Sequence, residues 1–391
     1  EGLRAAFGHA AVLIVFYAVL PVVVALALVA TMTRARLRGL GFYRTVLFVP
    51  QVIAMVVVAV AWRQIYAPDG PLNQVLRAIG LDGLARAWLG DFTFALPAVG
   101  FIGSWVAEAY IKEGHEVLVL DDLSTGRAEN VPEGARFVKC DIRDEDAVRG
   151  AFAGFRPDVV NPHAAQIDVR KSVEDPAFDA SVNIIGTIRL LESSVRSGVK
   201  KFIFASTGGA IYGEPPNIPA DEKTPPMPIS PYGTSKYAVE KYLEYYRYIY
   251  SLDYVALRYA NVYGPRQNPH GEAGVIAIFC SRILSGETCT IFGDGDQRRD
   301  YVYAGDVASA NLCALGSPSG SYNIGTQIET SVNGLITELE AASGIDFPVK
   351  HAEARAGEVG RISLDVRLAG KVLGWAPSVF LAKGIKTTWE W

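Results

Sequence analysis

Apolar residues follow two contrasting patterns in this chain, and the first lies near its N-terminus. Residues 10–32 and 45–62 are long apolar runs, with Pro21 as the one breaker in the first. Such runs are long enough to cross a hydrocarbon core of about 30 Å. The loop between them carries four arginines between residues 34 and 44 and no acid, so the positive-inside rule places it in the cytoplasm. The pattern predicts an α-helical, transmembrane-like segment over residues 1–90.

Two alternatives remain open for these runs. A cleavable signal peptide lacks a clear small-residue cleavage site here, and a second span follows the first. A buried helical hairpin fits poorly because neither run shows a polar stripe at helical spacing. The stretch FYRTVLFVPQVIAMVVVAVAWRQIYAPDGPLNQVLRAIGL and its surroundings, roughly residues 5–105, resemble the early membrane spans of sugar ABC transporter permeases. The resemblance includes no cytoplasmic coupling loop, so this segment alone is expected to transport nothing.

The second pattern begins at about Gly100, where short β-rich runs alternate with helical, charged stretches. The strand-like runs are HEVLVLDDL, ARFVKCDI, PDVVNPHAA, KKFIFAST and YVALRYANVYG. This alternation predicts an α/β fold, a Rossmann-type doubly wound parallel sheet with helices on both faces. We place this domain at residues 91–391, with residues 91–264 mainly in the Rossmann part and 265–391 mainly in a smaller C-terminal substrate lobe.

Charge and cysteine content narrow the function classes. A formal net charge of -4 gives no basic excess that would attract DNA or RNA, so nucleic acid is not expected as a partner. The four cysteines show no CxxC spacing and no nearby histidine cluster, which argues against a metal site or a disulfide framework. They indicate ordinary core thiols in a reducing compartment.

Glycines and an acid in the predicted first βαβ unit indicate a dinucleotide site. The segment VGFIGS holds Gly100 and Gly103 around Phe101 and Ile102, and a helix and a strand follow it. Backbone N–H groups at that helix start would face a pyrophosphate. The strand ends at Asp121 and Asp122, about twenty residues further on, and an acid there favours NAD over NADP. A solvated turn is the alternative for this acidic pair.

The residues at the ends of the next two strand-like runs are predicted to line the trough for the adenine and its ribose. An ordinary role in turns and packing is an equal alternative for these residues. These positions are Asp141, Ile142, Ala164 and Ala165. Two prolines depart from the pattern. Pro97 stands where the turn needs its first glycine, and it offers no N–H to phosphate. Pro162 removes a ladder donor from a strand end. The first strand itself has only FTFAL, residues 92–96, to form it.

A tyrosine and a lysine spaced four residues apart form the strongest catalytic signal. In SPYGTSKYAVEKYL, Tyr232 and Lys236 project from one face of a helix, and an ammonium beside a phenol favours phenolate, so the pair suits acid-base chemistry. An exposed helix face with a lysine is the alternative. The preceding strand in FIFASTGGAIYGEP ends at Ser206 and Thr207, whose hydroxyls complete a Ser/Thr-Tyr-Lys set.

These segments resemble the UDP-glucose 4-epimerase family within the extended short-chain dehydrogenases. The shared motifs are GFIGS, VLDDLSTG, AAQIDVRKSVEDP, FASTGGAIYGEP, SPYGTSKYAVEKY, LRYANVYGPRQ, GDGDQRRDYVY and KVLGWAP, spread over residues 100–391. The resemblance implies that Tyr232 is the base, that Lys236 lowers its pKa and holds the nicotinamide ribose, and that Thr207, with Ser206 second, positions the sugar hydroxyl. It assigns Asn183 and Tyr259 to the cofactor site.

The same resemblance implies the substrate and the reaction. It assigns the UDP-hexose diphosphate to Asn261, Arg299 and Arg355, and the uracil pocket to Thr290 and Phe292. The implied reaction is transient oxidation at C4 with NAD, rotation of the 4-keto sugar and return of the hydride. Dehydrating relatives need an acidic pair after the threonine, where this chain has Gly208 and Gly209. A homodimer through the epimerase domain is also implied.

Two other functional hypotheses remain beside a cytoplasmic epimerase. The first hypothesis is a membrane-associated permease component with an inert soluble part. The second is an inactive join of two unrelated genes. The crossover of such a join falls on GFIGSWV, which suits either parent.

Overall fold

A computed structural model describes residues 99–269, 274–354 and 359–391. All of them belong to one compact unit, Thr93–Trp391. Several predictions lie outside the described residues: the permease-like segment with both spans, the first strand at 92–96, Pro97 and Arg355. No helix within the described part of the chain has the length and apolar character needed to cross a membrane.

Strands and helices alternate along most of the described chain. The strands are β1 Leu118–Asp121, β2 Arg136–Lys139, β3 Val159–Val160, β4 Lys201–Thr207, β5 Asp253–Tyr259, β6 Asn261–Tyr263, β7 Cys289–Phe292, β8 Arg298–Tyr303, β9 Gly320–Ile324, β10 Glu329–Ser331 and β11 Val349–Ala352. The α-helices are α1 Val99–Lys112, α2 Glu145–Phe155, α3 Val169–Glu174, α4 Pro176–Ala180, α5 Thr187–Ser197, α6 Gly208–Ile211, α7 Pro231–Tyr250, α8 Val275–Leu284, α9 Ala304–Leu315, α10 Val332–Ser343, α11 Arg367–Leu373 and α12 Leu381–Glu390. A π-helical stretch, Ser181–Gly186, joins α4 to α5.

The main sheet is parallel and is covered by helices on both faces. Its strand order is β3-β4-β5-β9. Alternate residues of β4 enter two different cores: Phe202 packs with α2, α5 and α7, whereas Ile203 packs with α9 and α11. A strand buried on both faces explains the nearly continuous apolar run in KFIFAST. The predicted α/β fold with a parallel, doubly covered sheet is confirmed.

A second lobe contains two small sheets. One has the order β10-β8-β6, and the other pairs β11 with β7. Helices α8, α10 and α12 pack around them through residues such as Phe279, Leu335 and Ile385. One strand within residues 265–391, β9, pairs with β5 in the main sheet. A parallel strand needs a crossover, and α9 supplies it before the chain returns to the sheet edge.

Strands β1 and β2 form a separate parallel pair. In the described residues, β1 pairs with β2 alone, and β3 pairs with β4 alone. The start of α1 lies beside the segments that follow β1 and β3, because Gly100 lies against Gly126 and Gly103 lies against His163.

Candidate active site

The first turn of α7 is fixed tightly against the short helix α6. The Ser230 hydroxyl caps α7 by accepting from Gly233 N at 3.2 Å. Gly233 is required there, since a Cβ would stand 2.5 Å from the carbonyl oxygen of Ala210. The close approach of Gly233 to Ala210 directs the next turns of α7 toward the carboxyl end of β4. Tyr232 and Lys236 therefore enter one cleft, as their spacing predicted.

Lys236 is almost fully buried and is held by the end of β4. Its Nζ donates to Ala205 O at 2.9 Å and lies 5.9 Å from the centre of the Tyr232 ring. Burial lowers the pKa of Lys236 to about 8, and only the negative charge of Asp179 opposes this shift. An ammonium has three donors, so this one remains able to donate toward the cleft.

Tyr232 is partly buried, and its hydroxyl lies near that of Thr207. Burial raises the pKa of Tyr232 above its usual value, Asp179 adds to this rise, and the Thr207 hydrogen bond opposes it. The sequence suggested a phenol whose pKa is lowered by the neighbouring ammonium. In the protein alone, desolvation outweighs that effect, because removing the phenolate from water disfavours its charge.

Ser206 faces a buried ionic network. Its hydroxyl donates to Glu240 Oε1 at 2.6 Å. Glu240 is also paired with Arg258, whose Nη2 lies 2.6 Å from Oε2, with both side chains less than a tenth exposed. Arg258 donates in turn to the Tyr212 hydroxyl at 2.8 Å. Sequence reasoning missed Glu240, although it lies one helical turn after Lys236.

A second buried carboxylate, Asp179, lies beneath Tyr232 and Lys236. It accepts from Ser235 Oγ at 2.6 Å, from Asn183 Nδ2 at 3.0 Å and from Gln166 Nε2 at 3.1 Å. Asn183 also donates to Gln166 O at 2.8 Å, so its amide orientation is fixed from two sides. No sequence motif pointed to Asp179.

Gly100 and Gly103 lie in the first turns of α1 and bring its backbone close to neighbouring segments. A Cβ on Gly100 would stand 3.1 Å from Gly126 Cα, and one on Gly103 would stand 3.5 Å from His163 Cβ. The residues between them serve packing, because Phe101 is buried and Ile102 packs against the main core.

The acid at the end of β1 faces this helix start. Asp121 Oδ1 accepts from Leu123 N at 2.7 Å, and burial raises the pKa of the carboxyl. Gly126 leaves its carboxylate uncovered, since a Cβ there would stand 3.0 Å from either oxygen. Asp122 instead accepts from Ser124 N at 2.8 Å in a local turn. A carboxylate beside glycine-lined backbone fits the ribose and diphosphate of a dinucleotide.

The predicted trough is partly assembled. A cavity of about 580 Å³ is lined by Gly100, Gly103, Asp121, Ile142 and Ala164, among others. Asp141 forms an ion pair with Arg143 at 2.6 Å, and this partner lowers the pKa of the carboxyl. Ala165 is half-buried.

Tyr259, at the end of β5, belongs to a buried hydrogen-bond chain. Its hydroxyl accepts from Asn311 Nδ2 at 2.8 Å and lies 3.5 Å from His163 Nε2. Burial holds the pKa of Tyr259 above its usual value and lowers that of His163 to about 4. His163 is therefore neutral near pH 7, and sequence reasoning did not single it out.

The predicted substrate residues lie in two different sheets. Asn261 begins β6, and Arg299 lies on the neighbouring β8, where its Nη1 donates to Arg298 O at 2.9 Å. Thr290 and Phe292 lie on β7, and Thr290 Oγ1 accepts from Arg282 Nη1 at 2.9 Å. Asn261 pairs with Tyr301, two residues beyond Arg299 on β8.

Known proteins match this part of the chain closely. Residues 98–325 match the NAD dependent epimerase/dehydratase family. UDP-glucose 4-epimerase from Mycolicibacterium smegmatis is 47% identical over 305 residues, which cover 76% of this chain and 97% of the relative. A crystal structure of UDP-glucose 4-epimerase with UDP-glucose from Thermotoga maritima is 49% identical, with a TM-score of 0.73, and covers 75% of this chain and 95% of that one.

A UDP-glucose 4-epimerase from Thermus thermophilus, solved in complex with NAD, is 47% identical with a TM-score of 0.72 and covers 75% of this chain and 96% of that chain. These similarities extend over the parallel sheet, the Thr-Tyr-Lys cleft and the second lobe. The chain belongs to the NAD dependent epimerase/dehydratase family.

Proposed function

We propose that the chain interconverts UDP-glucose and UDP-galactose by epimerisation at C4, with NAD as a bound cofactor. Support comes from the relatives named UDP-glucose 4-epimerase and from the cleft that joins Thr207, Tyr232 and Lys236. NAD supplies a group that takes up and returns a hydride. The chain itself has to hold the sugar and move a proton from its C4 hydroxyl.

In this proposal Tyr232 accepts the hydroxyl proton and Thr207 orients the same hydroxyl. The two hydroxyls lie near each other, so a substrate hydroxyl that contacts both meets one acceptor and one donor. Because burial disfavours the phenolate, the positive charges of Lys236 and of the oxidised nicotinamide have to offset that effect. Ser206 is occupied by Glu240, so we assign it to holding the end of β4 rather than to substrate.

The cofactor is held by residues at the carboxyl ends of the strands. We assign the diphosphate to the start of α1 at Gly100 and Gly103, and the adenosine ribose to Asp121. Asn183 supports the nicotinamide end. On the substrate side, the proposal retains Asn261, Arg299 and Arg355 for the diphosphate and Thr290 and Phe292 for uracil, because guanidinium forks suit phosphate geometry.

The packing around Gly208 distinguishes an epimerase from a dehydratase. It follows Thr207 directly, and a Cβ there would stand 2.4 Å from Leu364 Cδ1. Leu364 is fully buried, so an acidic side chain at position 208 has no space unless the core moves. Without an acid there, nothing adjacent to Thr207 protonates a departing sugar hydroxyl. This packing supports epimerisation over 4,6-dehydration.

The test is to incubate the purified chain with UDP-galactose and NAD and to identify the product by NMR. UDP-glucose is expected, and the same equilibrium mixture is expected from UDP-glucose as substrate. A 4-keto-6-deoxy product would replace the epimerase proposal with a dehydratase. An unchanged substrate, from protein that binds both NAD and UDP-sugar, would favour the inactive join.

We propose further that two copies pair through α7. Tyr242, Tyr245 and Ile249 lie on one stripe of this helix and are 39%, 48% and 51% exposed. An apolar stripe on one helix suits a twofold interface, in which the same surface serves both partners. Replacement of Tyr245 with Glu should yield a monomer by light scattering, whereas Glu287→Gln, on the loop before β7, should leave a dimer. Wild-type protein that is monomeric at micromolar concentration would contradict this interface.

We propose that the epimerase part works in the cytoplasm, where UDP-sugars and NAD are present, and that residues 1–90 associate with a membrane. Two spans around a cytoplasmic loop put both ends of the segment outside, so this arrangement requires a third span before the epimerase part. The full chain is then expected to require detergent, whereas residues 91–391 are far more soluble. Recovery of the full chain as a monodisperse species in a salt-washed soluble fraction would contradict the membrane proposal.

A further inference from the structure

Asp179 of α4 is a fully buried carboxylate whose hydrogen-bond donors in the described chain are all neutral groups. Ser235 Oγ donates to its Oδ2 at 2.6 Å. The side-chain amides of Asn183 and Gln166 donate to its Oδ1 at 3.0 and 3.1 Å. Because a carboxylate removed from water is costly unless a positive charge compensates it, Asp179 needs a cation nearby.

Lys236 is the cation that this carboxylate can balance. It follows Ser235 directly on α7, is only 4% exposed, and donates through Nζ to a neutral carbonyl, Ala205 O, at 2.9 Å. Burial lowers the pKa of Lys236, and the negative charge of Asp179 opposes that lowering. The two buried charges therefore complement each other across the Ser235 hydrogen bond.

The other titratable groups around Lys236 leave this balance to Asp179. On the same helix, Glu240 is paired with Arg258 of β5 at 2.6 Å. His163, which follows β3, is neutral near pH 7 because burial lowers its pKa to about 4. The π-helical stretch, α6 and the carboxyl end of β4 carry no titratable side chain. The pKa of Lys236 is not shifted by the charged residues of α3 and α5, which are Arg170, Lys171, Glu174, Arg189, Glu192 and Arg196.

Asp179 also connects two parts of the candidate active site. Its bond to Ser235 fixes the turn of α7 that leads from Tyr232 to Lys236. Its bond to Asn183 fixes the amide that we assign to the nicotinamide end. A side chain that locks its neighbours in this way keeps functional groups in productive geometry.

We infer that Asp179 is a positioning residue: through Ser235 it holds the turn of α7 that ends at Lys236, and its charge keeps that lysine an ammonium. The inference rests on the proposed function, in which the ammonium helps to offset the cost of forming the Tyr232 phenolate. The charge of Asp179 also adds to the rise that burial causes in the pKa of Tyr232. Loss of this charge therefore lowers the pKa of both groups and moves the working pH range of the pair downward.

The pH profile of kcat for UDP-galactose conversion tests the charge. In Asp179→Asn, asparagine keeps an oxygen for the two amide donors and an N–H for the Ser235 hydroxyl, so geometry is retained while the charge is lost. The profile should move to lower pH by about one unit. Asp175→Asn is the matched control, because Asp175 is exposed and caps the same helix, where asparagine caps equally well. An unmoved profile in Asp179→Asn, or an equal shift in Asp175→Asn, would overturn the inference.

A double-mutant cycle without NAD or UDP-sugar separates this inference from the proposed function. Urea titrations give the equilibrium constant for unfolding of wild type, Asp179→Asn, Lys236→Met and the double variant. At pH 7, Asp179→Asn should raise this constant at least about tenfold more with Lys236 present than with methionine there. The excess should vanish near about pH 10, where the buried lysine is uncharged in all variants.

No excess at pH 7 would overturn the inference, even in an active enzyme. An excess in protein that binds NAD and UDP-sugar but does not epimerise would contradict the proposed function while supporting the pairing of the two charges.

Discussion

At the scale of single residues, the site depends on burial more than on spacing. Tyr232 and Lys236 meet as their i, i+4 spacing predicted, yet the main influence on both pKa values is desolvation. Sequence can place two side chains on one helix face, but it cannot tell how much water surrounds them. Asp179 escaped prediction for the same reason, since its importance comes from being fully buried beside them.

Removing the phenol should stop the reaction and leave cofactor binding nearly intact. In Tyr232→Phe the ring packing is kept while the proton acceptor is lost, so kcat should fall by about 10²-fold or more. UDP-galactose turnover and NAD titration measure the two effects separately. Tyr237→Phe, on the same helix, is the matched control and should remain active. Wild-type turnover in Tyr232→Phe would remove Tyr232 from the mechanism.

Lys236 should make stability depend on pH in the alkaline range. Its pKa is about 8 in the folded protein against a usual 10.5, so the unfolded chain binds more protons between these values. The penalty for burying the ammonium is complete below pH 8 and is relieved as pH rises toward 10.5. Wild-type stability relative to Lys236→Met should therefore increase between pH 7 and pH 10 in urea unfolding. Lys241→Met, at an exposed ion pair, is the control and should show no such increase. If the difference in unfolding free energy between wild type and Lys236→Met does not change with pH, the pKa of Lys236 is not lowered.

At the scale of elements, buried polar contacts connect the strands that end at the site. The Glu240–Arg258 pair joins α7 to β5, Ser206 adds β4, and Asn323 on β9 accepts from Tyr212 at 2.8 Å. The sequence predicted β4 and β5 from their apolar runs but did not predict β9. It did not predict the network, because contacts between residues far apart in sequence follow from sheet order, which periodicity leaves open.

Breaking this network should destabilise the protein strongly. Glu240→Gln leaves the buried Arg258 without its counter-charge, so the free energy of unfolding should fall by about 3–5 kcal/mol. Glu244→Gln, which breaks the exposed pair with Lys241 at 2.7 Å, should cost less than about 1 kcal/mol. Urea titrations at pH 7 measure the free energy of unfolding of both variants. An equal decrease in the two variants would show that the buried pair does not hold the sheet together.

At the scale of the whole molecule, the sequence predicted one α/β enzyme fold with a second lobe and an unusual start. The fold and its family are established, whereas the boundary near residue 90 remains a prediction. The pairing of β9 with β5 could not be predicted from local patterns, because it concerns how distant strands meet.

Replacing the segment that precedes Gly100 should strengthen NAD binding. Residues 1–99 are replaced with a short β-branched strand followed by Gly-Gly-Ala, which restores backbone amides to the pyrophosphate. Each regained bond to a charged phosphate is worth about 1.5 to 3 kcal/mol, roughly ten- to over a hundredfold in affinity. Tighter NAD binding by calorimetry and faster UDP-galactose conversion are expected. If the rebuilt protein melts cooperatively yet binds NAD no better, the defect lies elsewhere, with Pro162 as the first suspect.

The contacts that hold Gly208 and Tyr212 have a consequence for the order of events during synthesis. Their partners, Asn323 and Leu364, leave the ribosome more than a hundred residues later, at about 5 to 20 residues per second. The cleft at Thr207 therefore cannot take its final form while the chain is still attached near its middle. Premature termination before Leu364 would leave an apolar core open to solvent, and such nascent chains should depend on chaperones for survival.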